Sequence, residues 1–229
     1  MVEKDPAKIE RMFSDIAPRY DLLNRLLSMG IDKRWRTQAI RELAPANGLY
    51  LDVATGTCDV ASEIARQGNG VKIVGLDFSR EMLIVGKTKI SGKPIRLCRG
   101  DALKLPFAGN LFEGAACAYG IRNFADLDAG LKEICRILKP GGRIAILEFT
   151  TPSNLLVKAL YLFYFTKLLP LAGRIISGHR EAYSYLPASV MKFPDRHKLK
   201  TIFENAGFTE VKVTPLTFGI SDLITARKP

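Results

Sequence analysis

The stretch "LYLDVATGTCDVASEIA" (Leu49–Ala65) reads as a short apolar strand, a tight turn and an amphipathic helix. That is the opening unit of a nucleotide-binding α/β sheet, yet its turn carries one glycine, Gly56, with Asp52 on one side and Asp59 on the other. A pyrophosphate site needs G-x-G-x-x-G so that the backbone can crowd the phosphates. Here Ala54, Gly56 and Cys58 occupy the alternate positions. Two carboxylates beside the turn repel phosphate and favour a cation. An NAD-type dinucleotide fits poorly. S-adenosylmethionine, with an ammonium and a sulfonium and no phosphate, fits well.

Outward from this unit the chain alternates. "VKIVGLD", "IRLCRGD", "LFEGAACAY" and "RIAILEF" read as further strands. Between them, "SREMLIVGKTKI" is a helix with Ser79 as its N-cap, and "LDAGLKEICRIL" one capped by Asp126 and stopped by "KPGG". Strands alternating with helices predict a doubly covered α/β sheet of mostly parallel strands, with ligands beyond the carboxyl ends of the strands. Two more carboxylates stand there. Asp77 ends the second strand, with Phe78 after it, and is placed to accept both ribose hydroxyls. Asp101 follows the third, placed to accept from an adenine amino group with Ala102 stacking beside it. Three aspartates at three successive strand ends point to S-adenosylmethionine, with Gly56, Thr57 and Ala118 completing the candidate cofactor set.

The 229 residues fit one domain of ordinary size in four segments: a helical lid (1–46), a cofactor-binding core (47–150), an apolar substrate-cover insertion (151–194) and a final helix with a strand hairpin (195–229). Asp5-Pro6 as a helix start and an apolar stripe of Ile9, Met12, Phe13 and Ile16 make the N-terminal segment helical. The final helix, "DRHKLKTIFENAGF", takes Gly207 as its C-cap. Four scattered cysteines with no CxxC pair imply neither metal nor disulfides, and a cytoplasmic location. "MVEKDPAKIERMF" lacks the apolar run of a signal peptide. A net charge of +11 suits nucleic acid, an anionic membrane surface or acidic substrates. No nucleic-acid module is recognisable, so RNA as a substrate is favoured by charge alone.

"LDVATGTCD", "GLDFS", "GDALKLPF" and "RILKPGGRIAILEF" resemble, in order and spacing, the motifs of class I S-adenosylmethionine-dependent methyltransferases. "MFSDIAPRYDLLNRLLSMGIDKRWR", "YGIRNFADLDAGLKEICRILKPGG" and "YSYLPASVMKFP" are similar, over nearly the whole chain, to the menaquinone/ubiquinone biosynthesis C-methyltransferase family. The resemblance implies a Rossmann-like sheet of seven strands with an antiparallel last strand. It also implies methylation of a ring carbon of a prenylated naphthoquinol or benzoquinol. Cys58 is a departure, standing where the family often has glycine.

Such chemistry needs in-line alignment of ring carbon, methyl and sulfur, and donors or a base for a developing phenolate. After the fourth strand, Arg122 offers either a fork to the phenolate or a salt bridge, and Asn123 an adaptable amide or a turn cap. His179 is either the base or a surface histidine, and His197 lies in a charged helix, solvated. Arg122, Asn123 and His179 are thus the catalytic candidates, and Tyr20, Tyr119, Arg122 and Tyr183 the substrate-side ones. "RWR" at 34–36 reads as a basic face with one buried tryptophan. Residues 155–178 are long enough to span a bilayer but contain Lys158, Lys167, Pro170 and Arg174, and a central lysine costs about 2.5–3.5 kcal/mol on insertion. They read instead as helices covering the substrate, or as a polyprenyl-binding wall that touches the membrane.

Overall fold

The central strands carry apolar side chains on both faces, so they are stable only between two helical layers. The computed structural model describes residues 5–28, 30–164, 166 and 180–229, the side chains of 23, 26, 27 and 180–184 excepted. Strands β1 (Gly48–Val53), β2 (Val71–Asp77), β3 (Ile95–Arg99), β4 (Phe112–Ala118), β5 (Leu138–Phe149), β6 (Thr209–Leu216) and β7 (Ser221–Arg227) form one sheet in the order β3-β2-β1-β4-β5-β7-β6. β7 is antiparallel to both its neighbours, and β1 to β5 pair in parallel. The expected antiparallel last strand is present. The direction of travel across the sheet reverses between β1 and β4, so the switch point lies at their carboxyl ends.

The helices are α1 (Pro6–Ile16), α2 (Tyr20–Leu27), α3 (Ile31–Leu43), α4 (Asp59–Gln67), α5 (Arg80–Lys89), α6 (Leu127–Ile137), α7 (Leu155–Phe163), α8 (Arg180–Lys192) and α9 (Arg196–Asn205). Leu51, Val53, Ala115 and Cys117 pack with Leu131, Ile134 and Phe203 of α6 and α9. Tyr50 and Ala116, one residue out of phase, pack with Ile40, Leu43 and Ile64 of α3 and α4.

The cap residues act as their types predict. Asp5 accepts from Ala7 N with Pro6 at the first turn, Ser79 accepts from Met82 N, and Asp126 accepts from Ala129 N. After α9, Gly207 takes φ +97°, and Phe208 N donates to Phe203 O while Gly207 N donates to Glu204 O, closing the helix with a Schellman motif. "KPGG" lies within β5 rather than before it. Phe112 pairs with Leu138 and Gly114 with Arg143, so five steps on β5 face two on β4 and the glycines bulge out. Among the described residues no helix is long and apolar enough to cross a membrane.

Candidate active site

The turn after β1 is held from below and from the side. Asp52 Oδ2 accepts from Thr55 Oγ1 at 2.5 Å and Ala61 N at 2.8 Å, tying strand end, turn and first turn of α4 together. Thr55 N donates to Leu76 O, and Gly56 N donates to Asp77 Oδ2 at 2.7 Å. Ala54, Gly56 and Cys58 all adopt the left-handed region, at φ +53°, +54° and +67°, where only glycine is unstrained. A Cβ on Gly56 would meet nothing nearer than Tyr20 Cε1 at 3.9 Å, so its backbone faces open space.

Cys58 is fully buried and its thiol is pushed up to about 12 by burial, which leaves it inert as a nucleophile. Its extra bulk, relative to glycine, is matched by Gly86 on α5: a Cβ there would meet Cys58 Sγ at 2.4 Å. Gly86→Ala is therefore expected to destabilise the protein by about 1–3 kcal/mol. In a Cys58→Gly background the penalty should shrink markedly, and a double-mutant cycle in urea unfolding measures the coupling. Additive effects would contradict this pairing.

One cleft lies beyond the carboxyl ends of β1, β2 and β4. Gly56, Asp77, Phe78, Asp101, Ala102 and Ala118 line it, as do Tyr119 and Asn123. Asp77 receives Gly56 N and Ser79 N, and burial raises its carboxyl above the usual range. Asp101 is exposed and accepts from Leu103 N. The opposite wall is the N-terminal segment: Pro6, Ile9 and Phe13 of α1, and Tyr20 of α2, whose phenol is raised by burial.

Three expectations need correction. Asp52 does not line the cleft: with no exposed surface, one oxygen bonded under the turn and Oδ1 unpartnered, it is raised by burial to about 7. Thr57 does not line it either, because its hydroxyl donates to Asp21 of α2 at 2.5 Å. Arg122 is no free fork. Its Nη1 donates to Glu148 Oε1 at 2.7 Å and to Tyr119 O, and its backbone N donates to Glu148 Oε2. Its remaining edge borders a third cavity beside Tyr185 and Lys192 rather than the cleft. Asn123 accepts from the Tyr185 hydroxyl at 3.0 Å. His179 and the Tyr183 side chain lie outside the described residues. His197 is exposed, as its charged helix suggests.

An ionic ladder joins α2, α3 and α5 to the start of α4 at the turn. Lys89 Nζ bridges Asp21 at 2.7 Å, Thr57 Oγ1 at 3.1 Å and Asp59. Arg36 joins Asp59 at 3.1 Å to Asp32. Burial alone would raise Asp59, but Arg36 and Lys89 outweigh it and hold the carboxyl low. Asp59 is thus already neutralised and attracts no ligand cation. The "RWR" segment is not a simple basic face, since Arg36 is buried with Trp35. Of these partners, Asp32 and Arg36 at i, i+4 are readable from spacing. Glu148, a carboxylate inside "RIAILEF", also announces a buried partner.

A second cavity of about 400 Å³ adjoins the cleft and shares Tyr119 with it. Trp35, Tyr119, Phe149 and Tyr161 form its aromatic walls, and Asp32 and Arg36 line it as well. Tyr119 stacks on Phe149 at 4.3 Å between centroids, and Trp35 meets Phe149 edge-on at 6.3 Å. The Trp35 indole N–H donates to Thr217 Oγ1. Val157 and Leu160 of α7, with Phe218, form its outer side.

The model of the ubiE/COQ5 methyltransferase family matches residues 1–228. A ubiquinone/menaquinone biosynthesis C-methyltransferase of Geobacter sulfurreducens is 46% identical over 227 residues, covering 96% of this chain and 88% of the relative. A demethylmenaquinone methyltransferase of Deinococcus radiodurans is 45% identical over 218 residues, covering 94% and 90%. Among solved structures, a SAM-dependent methyltransferase of Thermotoga maritima superposes with a TM-score of 0.68 at 19% identity, covering 96% of this chain and 99% of that one, a likeness of fold alone. The chain belongs to the ubiE/COQ5 methyltransferase family.

Proposed function

We propose that this protein transfers a methyl group from S-adenosylmethionine to a ring carbon of a reduced, prenylated quinone precursor, converting demethylmenaquinol to menaquinol, with the benzoquinol of ubiquinone biosynthesis as a second acceptor. The reading is carried by two cavities that meet at Tyr119, one at the strand ends that carries Asp77 and Asp101 and one walled by aromatic rings. The donor fits the first. Asp77 keeps lone pairs for ribose hydroxyls, Asp101 faces the adenine end, and the open backbone at Gly56 admits the methionine portion. When bound, the donor supplies an electrophilic methyl on a sulfonium. The chain supplies position: the turn and lid hold the donor, and the aromatic walls hold the ring against Tyr119. Such alignment is worth about 7–11 kcal/mol of barrier.

The outer face of α7 supports a membrane-side exit for the prenyl tail. Leu155, Leu156, Leu160 and Phe163 are 82%, 71%, 64% and 58% exposed, and Phe218 is 80% exposed. Leu160 and Phe218 also line the aromatic cavity, so the apolar face runs into its mouth. A chain of net charge +11 would hold such a face against anionic lipid.

The test is methyl transfer from labelled donor to a panel of reduced, demethylated quinols, with donor binding followed by calorimetry. Asp77→Asn is expected to weaken donor binding about 10–100-fold, through loss of charge-assisted hydrogen bonds. Leu156→Glu with Leu160→Glu should reduce sedimentation with anionic vesicles while donor binding persists. Failure to bind either S-adenosylmethionine or its demethylated product would overturn the reading.

A further inference from the structure

The aromatic cavity has one wall that apolar packing does not explain. Asp32 and Arg36, 2% and 8% exposed, both line it. Asp32 accepts from Ser28 Oγ at 2.6 Å and pairs with Arg36, which also reaches Asp59. A buried ion pair contributes little net stability, and apolar residues of the same volume often serve as well. Its place in the wall of a ring-sized pocket therefore calls for a ligand with a polar edge. Arg122, a second buried cation among the described residues, is held by Glu148 and lines neither this cavity nor the donor cleft.

We propose that Asp32 and Arg36 form the polar pole of the acceptor cavity, Asp32 taking the proton of the ring hydroxyl beside the target carbon and Arg36 offsetting the charge on that oxygen. This rests on the quinol reading above. The hydroxyl proton passes to the Asp32 carboxylate as the adjacent ring carbon forms its bond to the methyl group. The methyl–sulfur bond breaks with its electron pair on sulfur, leaving a neutral methylated dienone. The dienone sheds its ring proton to water and regains a proton on oxygen from Asp32, so one proton reaches solvent per turnover. Ser28 holds the carboxylate in place through its hydroxyl, and Arg36 ties the pole to Asp59 at the start of α4, next to the donor turn.

The experiment uses the full-length protein, labelled donor and a reduced demethylated naphthoquinol. Asp32→Asn is expected to lower kcat about 100–1000-fold. Donor binding by calorimetry should stay within about threefold, because Asp32 does not line the donor cleft. A second arm gives the wild-type protein an acceptor whose hydroxyl beside the target carbon is O-methylated. That acceptor should turn over as slowly as the true one does with Asp32→Asn, and the variant should slow it no further. If Asp32→Asn does not fold, the blocked acceptor on the wild type decides. The proposal is overturned if the variant keeps more than a tenth of the rate, if activity and donor binding fall together, or if the blocked acceptor reacts normally. A wild type inert on every quinol would instead overturn the functional reading.

Discussion

Replacing Arg122 by methionine is expected to cost about 3–5 kcal/mol of unfolding free energy, because it strands a fully buried carboxylate. Glu148 has no exposed surface and lies 2.7 Å from Arg122 Nη1. It also accepts from the backbone N–H groups of Arg122 and Phe149. Those two bonds survive the substitution, but the charge they leave behind has lost its counter-ion. Adding Glu148→Gln removes that charge while keeping an oxygen for the backbone donors. The double variant should therefore lie only about 1–2 kcal/mol below wild type, and urea unfolding at constant m-value reads the difference. A substrate-facing fork would behave otherwise: stability would hold in Arg122→Met and turnover alone would collapse. The guanidinium also fixes the Tyr119 carbonyl and sits 5.9 Å above the Phe149 ring. Arg122 thus ties Tyr119, the residue common to both cavities, to Glu148 of β5.

How far the sequence reaches depends on the range of the interaction. Strands and helices are written in apolar periodicity, and Asp5, Ser79, Asp126 and Gly207 each cap locally, within a few residues. The place of Asp77 and Asp101 in the cleft is likewise legible, because ligand crevices of parallel sheets lie at the carboxyl ends of the strands. Asp52 has the same pattern and a different fate. It shares a face of β1 with Tyr50, toward α3 and α4, and α4 packs over it so that Ala61 N reaches its carboxylate. Spacing does not say whether a strand-end side chain points into the cleft or under the following helix. The attachment of α2 is less legible still, for Asp21 and Lys89 stand 68 residues apart and meet only because α2 and α5 are brought together by tertiary packing. Cys58 and Gly86 teach the same lesson, each being explained only by the other.

Asp52→Asn should make the protein more stable at pH 8 and leave it unchanged near pH 4. Burial raises the Asp52 carboxyl from an ordinary 3.8 to about 7, the bonds from Thr55 and Ala61 offsetting only part of that rise. Between these values the folded state keeps a proton that the unfolded chain has released. Stability therefore falls as pH rises through the interval and is flat on either side. Roughly three pH units correspond to about 4 kcal/mol, which the native state loses through this group by pH 8. Asparagine presents an oxygen to Thr55 Oγ1 and Ala61 N as the carboxylate does, and carries no charge at any pH. Thermal or urea unfolding from pH 4 to 8, taken as wild type minus variant, cancels titrating groups other than Asp77 and Asp59, whose charges also oppose ionisation of Asp52. The difference should grow from pH 4 to about pH 7 and level off by pH 8, and a difference flat throughout would refute the assignment. Donor affinity should separate the two aspartates: Asp77 lines the cleft and Asp52 does not, so Asp52→Asn should change binding by a few-fold at most. The aspartate under the turn would then be a structural tie that ionises at a cost, with ligand recognition left to its neighbour.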